Sequence, residues 1–398
     1  YSATTHSSMA MLRFWTCHIR SGRRWRPVEW LAERVVFAVS VSTLALILLI
    51  FVFVGREAVP VLLGWTDSAL VQRVIPPDQV DTVPSEELRE YLHLTRRQFR
   101  EMDRETLVAL MEARAETQGE IPEAFRADPD ARVNKSSWRY LLRPHAWTGY
   151  DRPAFVWQPV GTIHKYNLVP LLAGSLKVTA IGLLVAIPLA LGAAIYVSQL
   201  APPRLREWIK PGIEFLAGIP SVVMGVFALL ILATLFQGVV GYQYRLNAFV
   251  AGVALGLTTV PLIFTIAEDA LSSVPRGYAQ AALALGASRW QASVKVVLPA
   301  ALPGVFAATV LGFGRCLGET MVVLMASGNA STMSWSLFDS TRSITATIAA
   351  EMAEAVAGGI HYRILFLLGT ALFAITFFTN FAGELIIQRL KSRLEGTP

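Results

Sequence analysis

Arg315 and Glu319 are the residues with the most chemical consequence in this sequence. They interrupt an apolar stretch and stand four apart, a spacing that puts both on one face if the segment is helical. A guanidinium binds oxyanion oxygens in pairs, stays charged at physiological pH and is weakly hydrated. A carboxylate beside it makes sense once protons are counted. Hydrogen phosphate keeps a hydroxyl that can donate to Glu319, whereas sulfate at neutral pH has none and meets repulsion. Such a pair would attract one oxyanion and reject another. Without substrate, Glu319 would neutralise Arg315. A structural ion pair inside the membrane is the other reading of the same two residues. Counted from Pro299, Arg315 lies ~24 Å along a helix, at a depth where each charge costs ~2.5–3.5 kcal/mol. Both side chains should therefore face a cavity or a partner helix, and Gly312, Gly314 and Gly318 leave room for one.

Weaker polar candidates accompany the pair. Lys177 would draw anions toward a pathway or snorkel to the surface. Gly218-Ile219-Pro220 should break or kink an apolar run, freeing backbone N–H groups beside the Ser221 hydroxyl. Kinks that serve only packing fit equally well. Glu351 and Glu354 would repel an anion and are given a structural or gating role. No Gly-x-x-x-x-Gly-Lys-Ser/Thr run occurs, so the chain has no P-loop for ATP. The six histidines are scattered, and no metal-ligand cluster or Ser/His/Asp arrangement stands out. Cys17 and Cys316 are the only cysteines, one in an arginine-rich tail and one in an apolar run, which argues against a structural disulfide.

The elements that must position these groups are membrane spans. Of 398 residues, 54% are hydrophobic and only 16% charged. A soluble chain would carry about 25% charged residues. Mean hydropathy is +0.47. This composition excludes a disordered chain, a disulfide scaffold and an ordinary soluble enzyme. Six charge-free runs are long enough to span: Val35–Gly55, Val178–Pro203, Phe215–Tyr244, Leu246–Ala267, Val296–Gly314 and Ile364–Gly383. The fold expected is an all-α integral membrane protein with six transmembrane helices. Lys and Arg concentrate in the tail before the first run, in the loops holding Arg204, Arg206 and Lys210 and holding Arg276, Arg289 and Lys295, and after the last run. That bias puts both termini in the cytoplasm of a multi-pass inner-membrane protein, with the first run as an uncleaved anchor.

The organisation expected is a basic tail (1–34), a first span (35–55), an extracytoplasmic insertion (56–165), a core with five spans (166–390) and a short cytoplasmic tail (391–398). Within the insertion, residues 85–120 read as helix, with an intermittent apolar face of Leu88, Leu92, Phe99, Met102, Leu107, Leu110 and Met111. It would dock a partner or stand as a solvated insertion.

The longest cytoplasmic loop (268–304) holds a short helical run between Pro275 and Gly286, suited to docking another protein. Gln280, Ala281, Ala282, Gly286, Val296, Leu298 and Pro299 fall at the spacings of the EAA loop of ABC-importer permeases, which it resembles, with Gln in place of the usual Glu. Three further stretches, GIEFLAGIPSVVMGVFALL, GFGRCLGETMVVLMASGN and TATIAAEMAEAVAGGIHYRILFLLG, resemble the phosphate-specific permeases of the PstC type. The likeness runs over about residues 170–390 and leaves the insertion and the basic tail without a counterpart. It implies the type I ABC importer permease fold, alternating access, and a transport role for Arg315 and Glu319. It also implies a PstA-type permease partner, a PstB-type ATPase dimer docked on the loop and a PstS-type phosphate-binding protein. ATP and Mg would be bound by that ATPase; the chain itself would hold no cofactor and perform no hydrolysis. A permease for sulfate or molybdate, or a membrane scaffold or sensor, stays open as an alternative.

Overall fold

The computed structural model describes residues 27–69, 75–92, 94, 96–119 and 127–394. Most of the basic tail, with Cys17, lies outside the described residues, as do residues 395–398. The chain divides into two compact units, residues 1–55 and 56–398.

In the first unit the described chain is the greater part of helix α1 (Pro27–Leu62). Every residue from Trp30 to Phe53 is exposed, and nearly all are apolar. A helix that is hydrophobic all round and unburied belongs in lipid. Its two hydroxyls satisfy themselves within the helix: Ser40 donates to the Val36 carbonyl at 2.8 Å and Thr43 to that of Val39 at 2.9 Å.

The second unit opens with the insertion. The predicted helix over 85–120 is divided into α2 (Ser85–Tyr91), α3 (Arg96–Glu101) and α4 (Arg104–Gly119). Leu88, Leu107 and Met111 are buried together with Ile75 and Val80, while Leu110 is exposed. A short helix α5 (Trp138–Leu142) follows, and then an antiparallel ribbon of β1 (Trp157–Gln158) and β2 (Lys165–Tyr166). This part is welded to the core. Trp157, Tyr166, Leu141 and Leu168 share one buried cluster with Ile344, Ile364 and Leu365. The Trp157 indole donates to the Glu351 carboxylate at 3.1 and 3.2 Å, and Ser331 donates to the Trp157 carbonyl at 2.9 Å. The insertion is thus not only a solvated appendage.

The core comprises α6 (Val169–Leu200), α7 (Pro203–Ala217), α8 (Ser221–Val240), α9 (Ala248–Ser273), α10 (Arg276–Ala284), α11 (Arg289–Ala300), α12 (Leu302–Gly318), α13 (Met321–Ala326), α14 (Ile344–Glu351) and α15 (Ile360–Leu394). Among the described residues five helices are long and apolar enough to cross a membrane, and a sixth if α11 and α12, bent by 73°, count as one span. The third span differs from its sequence expectation. Phe215 belongs to α7, and the chain breaks before the span rather than inside it, so α8 starts at Ser221. The reason is local: Pro220 has no N–H and disfavours helix at Ile219, while the Gly218 N–H closes α7 on the Phe215 carbonyl at 3.0 Å.

Helices α6 and α9 form the centre of the core, and they meet through small residues. A Cβ on Gly252 would lie 2.5 Å from Ile181 Cβ, and one on Gly256 would lie 2.7 Å from the Gly182 carbonyl. Close backbone approach of this kind supplies packing where lipid removes the hydrophobic driving force. We expect Gly252→Val to destabilise the protein by about 1–3 kcal/mol, the usual cost of overpacking. Thermal unfolding in detergent checks this against Gly192→Ala, where nothing lies within 4 Å of the new methyl and no loss is expected.

Candidate functional site

Helix α12 carries Arg315 through the core on a track of glycines. A Cβ at Gly312 would strike Ile263 of α9 at 2.6 Å, so one face of α12 lies hard against α9. Cys316 faces that side, buried, its sulfur 3.2 Å from the Thr259 hydroxyl. On another face, Val310 meets Gly383 of α15. The remaining direction is left to Arg315, whose side chain is exposed. Counted from Leu302, where α12 starts after the bend, Arg315 lies ~20 Å along the axis.

Glu319 is placed differently from the expectation of a shared helical face. Helix α12 ends at Gly318, and Glu319 is extended, with φ −71° and ψ 133°. The helix restarts only at Met321. Among the described residues no ion pair joins Glu319 to Arg315; the carboxylate instead accepts the Thr320 N–H at 3.2 Å. The break is held from outside, because Thr345, in the first turn of α14, donates its hydroxyl to the Glu319 carbonyl at 2.8 Å. Ser343 caps that turn by accepting the Ala346 N–H at 3.1 Å. Gly314 stands in ordinary contact range of Asn380 on α15, and at Gly318 no neighbour lies within 4 Å of a would-be Cβ.

Ser221 opens α8 and is half-buried. One turn further, a Cβ at Gly225 would be 3.1 Å from the Met321 carbonyl and 2.7 Å from the Met325 sulfur. The first turns of α8 therefore run beside the restart after Glu319, and the two chain breaks are neighbours. Lys177 is elsewhere in role. Its amine donates to the Ser334 carbonyl at 2.6 Å and to that of Ser336 at 3.0 Å, which ties the 327–343 loop to α6. The amine is engaged by main-chain carbonyls rather than standing open. Glu351 is engaged as well: Arg342 donates to it at 2.6 Å, and His361 lies 3.6 Å away. Burial raises the Glu351 carboxyl above its ordinary range, opposed by the Trp157 indole and Arg342.

One polar residue near the pair is missing from the sequence reading. Asn380 of α15 is exposed, and its side-chain oxygen and nitrogen would lie 3.8 and 4.0 Å from a Cβ on Gly314. It is level with Arg315. The signal was available, because Asn380 is an amide in the middle of the charge-free run 364–383, where polar groups are costly.

The loop motif forms a separate constellation. Gln280, Ala281 and Ala282 lie on α10, which has no buried residue. Gly286 turns the chain with φ +88°, a conformation that favours glycine. Ser288 and Gln291 then form a capping box that starts α11, which carries Leu298 and Pro299. Among the described residues no group of three or more His, Cys, Asp or Glu side chains is placed to hold a metal ion.

Residues 186–394 match the family described as binding-protein-dependent transport system inner membrane component. A relative from Mesorhizobium japonicum, named phosphate transport system permease protein PstC, is 33% identical over 256 residues, which is 60% of this chain and 77% of that protein. The PstC protein of Pasteurella multocida is 33% identical over 256 residues, 60% of this chain and 79% of that one. The probable ABC transporter permease protein YqgH of Bacillus subtilis is 33% identical over 237 residues, covering 60% and 75%. Among solved structures, the inward-facing MetNI methionine ABC transporter aligns with 56% of this chain and 94% of its own, at 21% identity and a TM-score of 0.43. With more than half of its length inside the family's boundaries, the chain belongs to the binding-protein-dependent transport system inner membrane components, on their PstC-type branch.

Proposed function

We infer that this chain is the membrane-spanning permease subunit of an ATP-driven importer of inorganic phosphate. The observation that carries the reading is Arg315: a permanent cation at membrane depth, without an ion-pair partner among the described residues, beside a broken helix, in a chain with PstC relatives. An isolated guanidinium facing hydrocarbon is costly, and intramembrane ionisable groups mark pathways. As the transporter alternates between its two openings, Arg315 would take two oxygens of the anion in a bidentate grip. Glu319, held on the break rather than against Arg315, would accept a hydrogen bond from the hydroxyl of hydrogen phosphate. Ser221, at the neighbouring break, would add a neutral donor.

By the bias of its basic residues, both termini and the 268–304 loop would lie in the cytoplasm, and the insertion outside. Gln280, Ala281, Ala282, Gly286, Leu298 and Pro299 would then present α10 to a PstB-type ATPase dimer, which binds ATP and Mg. A PstA-type permease would complete the pathway, and a PstS-type binding protein would deliver phosphate to the outer face. Lys177 would serve that face by anchoring the 327–343 loop and keeping it positively charged.

In a reconstituted transporter, Arg315→Ala should lower phosphate uptake about a hundredfold, the loss expected for one charge-assisted bidentate pair worth ~3 kcal/mol. Arg315→Lys should recover little, since a point charge lacks the fork. Glu319→Gln should leave assembly intact and let sulfate compete with labelled phosphate, which the parent should resist. Normal uptake by Arg315→Ala would remove the guanidinium from the pathway. A separate measurement isolates the anchor. Lys177→Met should lower the melting temperature while changing the phosphate KM less than threefold; a tenfold rise in KM with unchanged stability would make Lys177 a binding residue instead.

A further inference from the structure

Glu268 is the most deeply buried carboxylate of the described core, with 0% exposure of its side chain. It lies on α9 just before the chain leaves for α10. A carboxylate taken out of water needs close partners. It has them, and its two cations come from one other element. Arg206 donates to one oxygen at 2.5 Å and Lys210 to the other at 2.7 Å. Ser272 adds a third donor at 2.9 Å. Arg206 and Lys210 are four apart, so a single face of α7 presents both cations. Helix α7 buries no residue of its own; only Ile209 and Ile213 rest partly on the core. Its hold on α9 therefore rests on these ionic contacts and two isoleucines; Glu268 takes both cations, and Asp269 stands 3.6 Å from Lys210.

The position of this clamp matters. Downstream of Glu268, α9 runs to Ser273, and only Val274 and Pro275 separate it from α10, the exposed helix of the 268–304 loop. Downstream of Lys210, α7 runs to Ala217, and Gly218-Ile219-Pro220 then leads into Ser221 and α8. Glu268 thus joins the helix that feeds the loop to the helix that feeds a chain break. That break lies beside the one that holds Glu319. A displacement of α10 has a short, proline-stiffened route to α9, and through the clamp to α7.

We propose that Glu268 is a positioning residue that couples movement of α10 to the Gly218–Pro220 break: by gripping Arg206 and Lys210 it makes α7 follow α9, so that the start of α8 shifts when the loop is pushed. This rests on the importer reading above. Lost coupling, rather than lost folding, is its signature.

The test uses the complete transporter in proteoliposomes and reads phosphate imported per ATP hydrolysed. Glu268→Gln keeps the shape and removes the charge. We expect hydrolysis within twofold of the parent and uptake at least tenfold lower. In a background with Cys17→Ser and Cys316→Ser, Lys210→Cys with Glu268→Cys should be equally uncoupled. Joining the two thiols with a short bifunctional maleimide should return the ratio to within threefold of the parent. A parent ratio in the Glu268→Gln transporter overturns the clamp. So does a cross-linked transporter that assembles and stays uncoupled, and this second result decides the matter if Glu268→Gln does not assemble. A parent complex that hydrolyses ATP and imports no phosphate sinks the importer reading and the clamp with it. A working parent with an indifferent Glu268→Gln sinks the clamp alone.

Discussion

A permanent positive charge held ~20 Å along a span is the constraint from which the rest of this structure can be read. Arg315 cannot shed its proton, and hydrocarbon does not solvate it. Its helix must therefore be packed so that this one direction is not lipid. The glycines on α12 and α15 do that: Gly312 presses α12 on α9, and Gly383 lets Val310 seat against α15. With two faces filled by backbone-close contacts, Arg315 is left pointing where neither neighbour lies. The Asn380 amide of α15, beside Gly314, adds a polar group at the same level.

The break after Gly318 follows from the same need. A continuous helix through Gly318–Thr320 would put Glu319 one turn above Arg315, where the opposite charges would pair and neutralise each other. Ending α12 at Gly318 turns the carboxylate away. The cost of a broken helix is exposed backbone, and here it is met by side chains: Thr345 takes the Glu319 carbonyl, and Ser175 accepts the Ile344 N–H at 2.9 Å at the start of the supporting helix. The neighbouring break at Gly218–Pro220 is enforced by proline chemistry rather than by an external bond. One break is thus fastened by a hydroxyl from another helix, whereas the other lies between α7 and the first turns of α8, which run beside Met321 and Met325.

Much of this was legible in the sequence because hydrophobic runs report on solvent, not on detail. The long apolar stretches of α1, α6, α9 and α15 declare themselves by length alone. The Pro275–Gly286 helix declares itself by its punctuation. What failed was depth and continuity. A spacing of four implies a shared face only if the helix persists, and nothing between Arg315 and Glu319 announces that Gly318 is its last residue. The Gly218–Pro220 break was seen, but an unbroken apolar run hid that it precedes the span, since interfacial and spanning residues have the same composition there. Lys177 looked free because its partners are main-chain carbonyls more than 150 residues away, which leave no trace in a pattern. Glu268 has the pattern of a loop edge, because an acid at a span terminus usually meets water.

Small residues and ionic clamps divide the mechanical work of the core. Between α6 and α9, Gly182, Gly252 and Gly256 bring backbones together so closely that no side chain can slip between them. That contact is non-directional but tolerates no displacement, and it makes those helices one body. Helix α7 has no such contact. It is gripped by two long, partly exposed cationic side chains on the Glu268 carboxylate, with Ile209 and Ile213 resting beside them on the core, so its place is set by that clamp rather than by backbone contact. A chain that must hold one pair of helices still and let another element move needs both kinds of contact. The position of Glu268, at the boundary between the rigid pair and the exposed loop helix, is where the second kind is required.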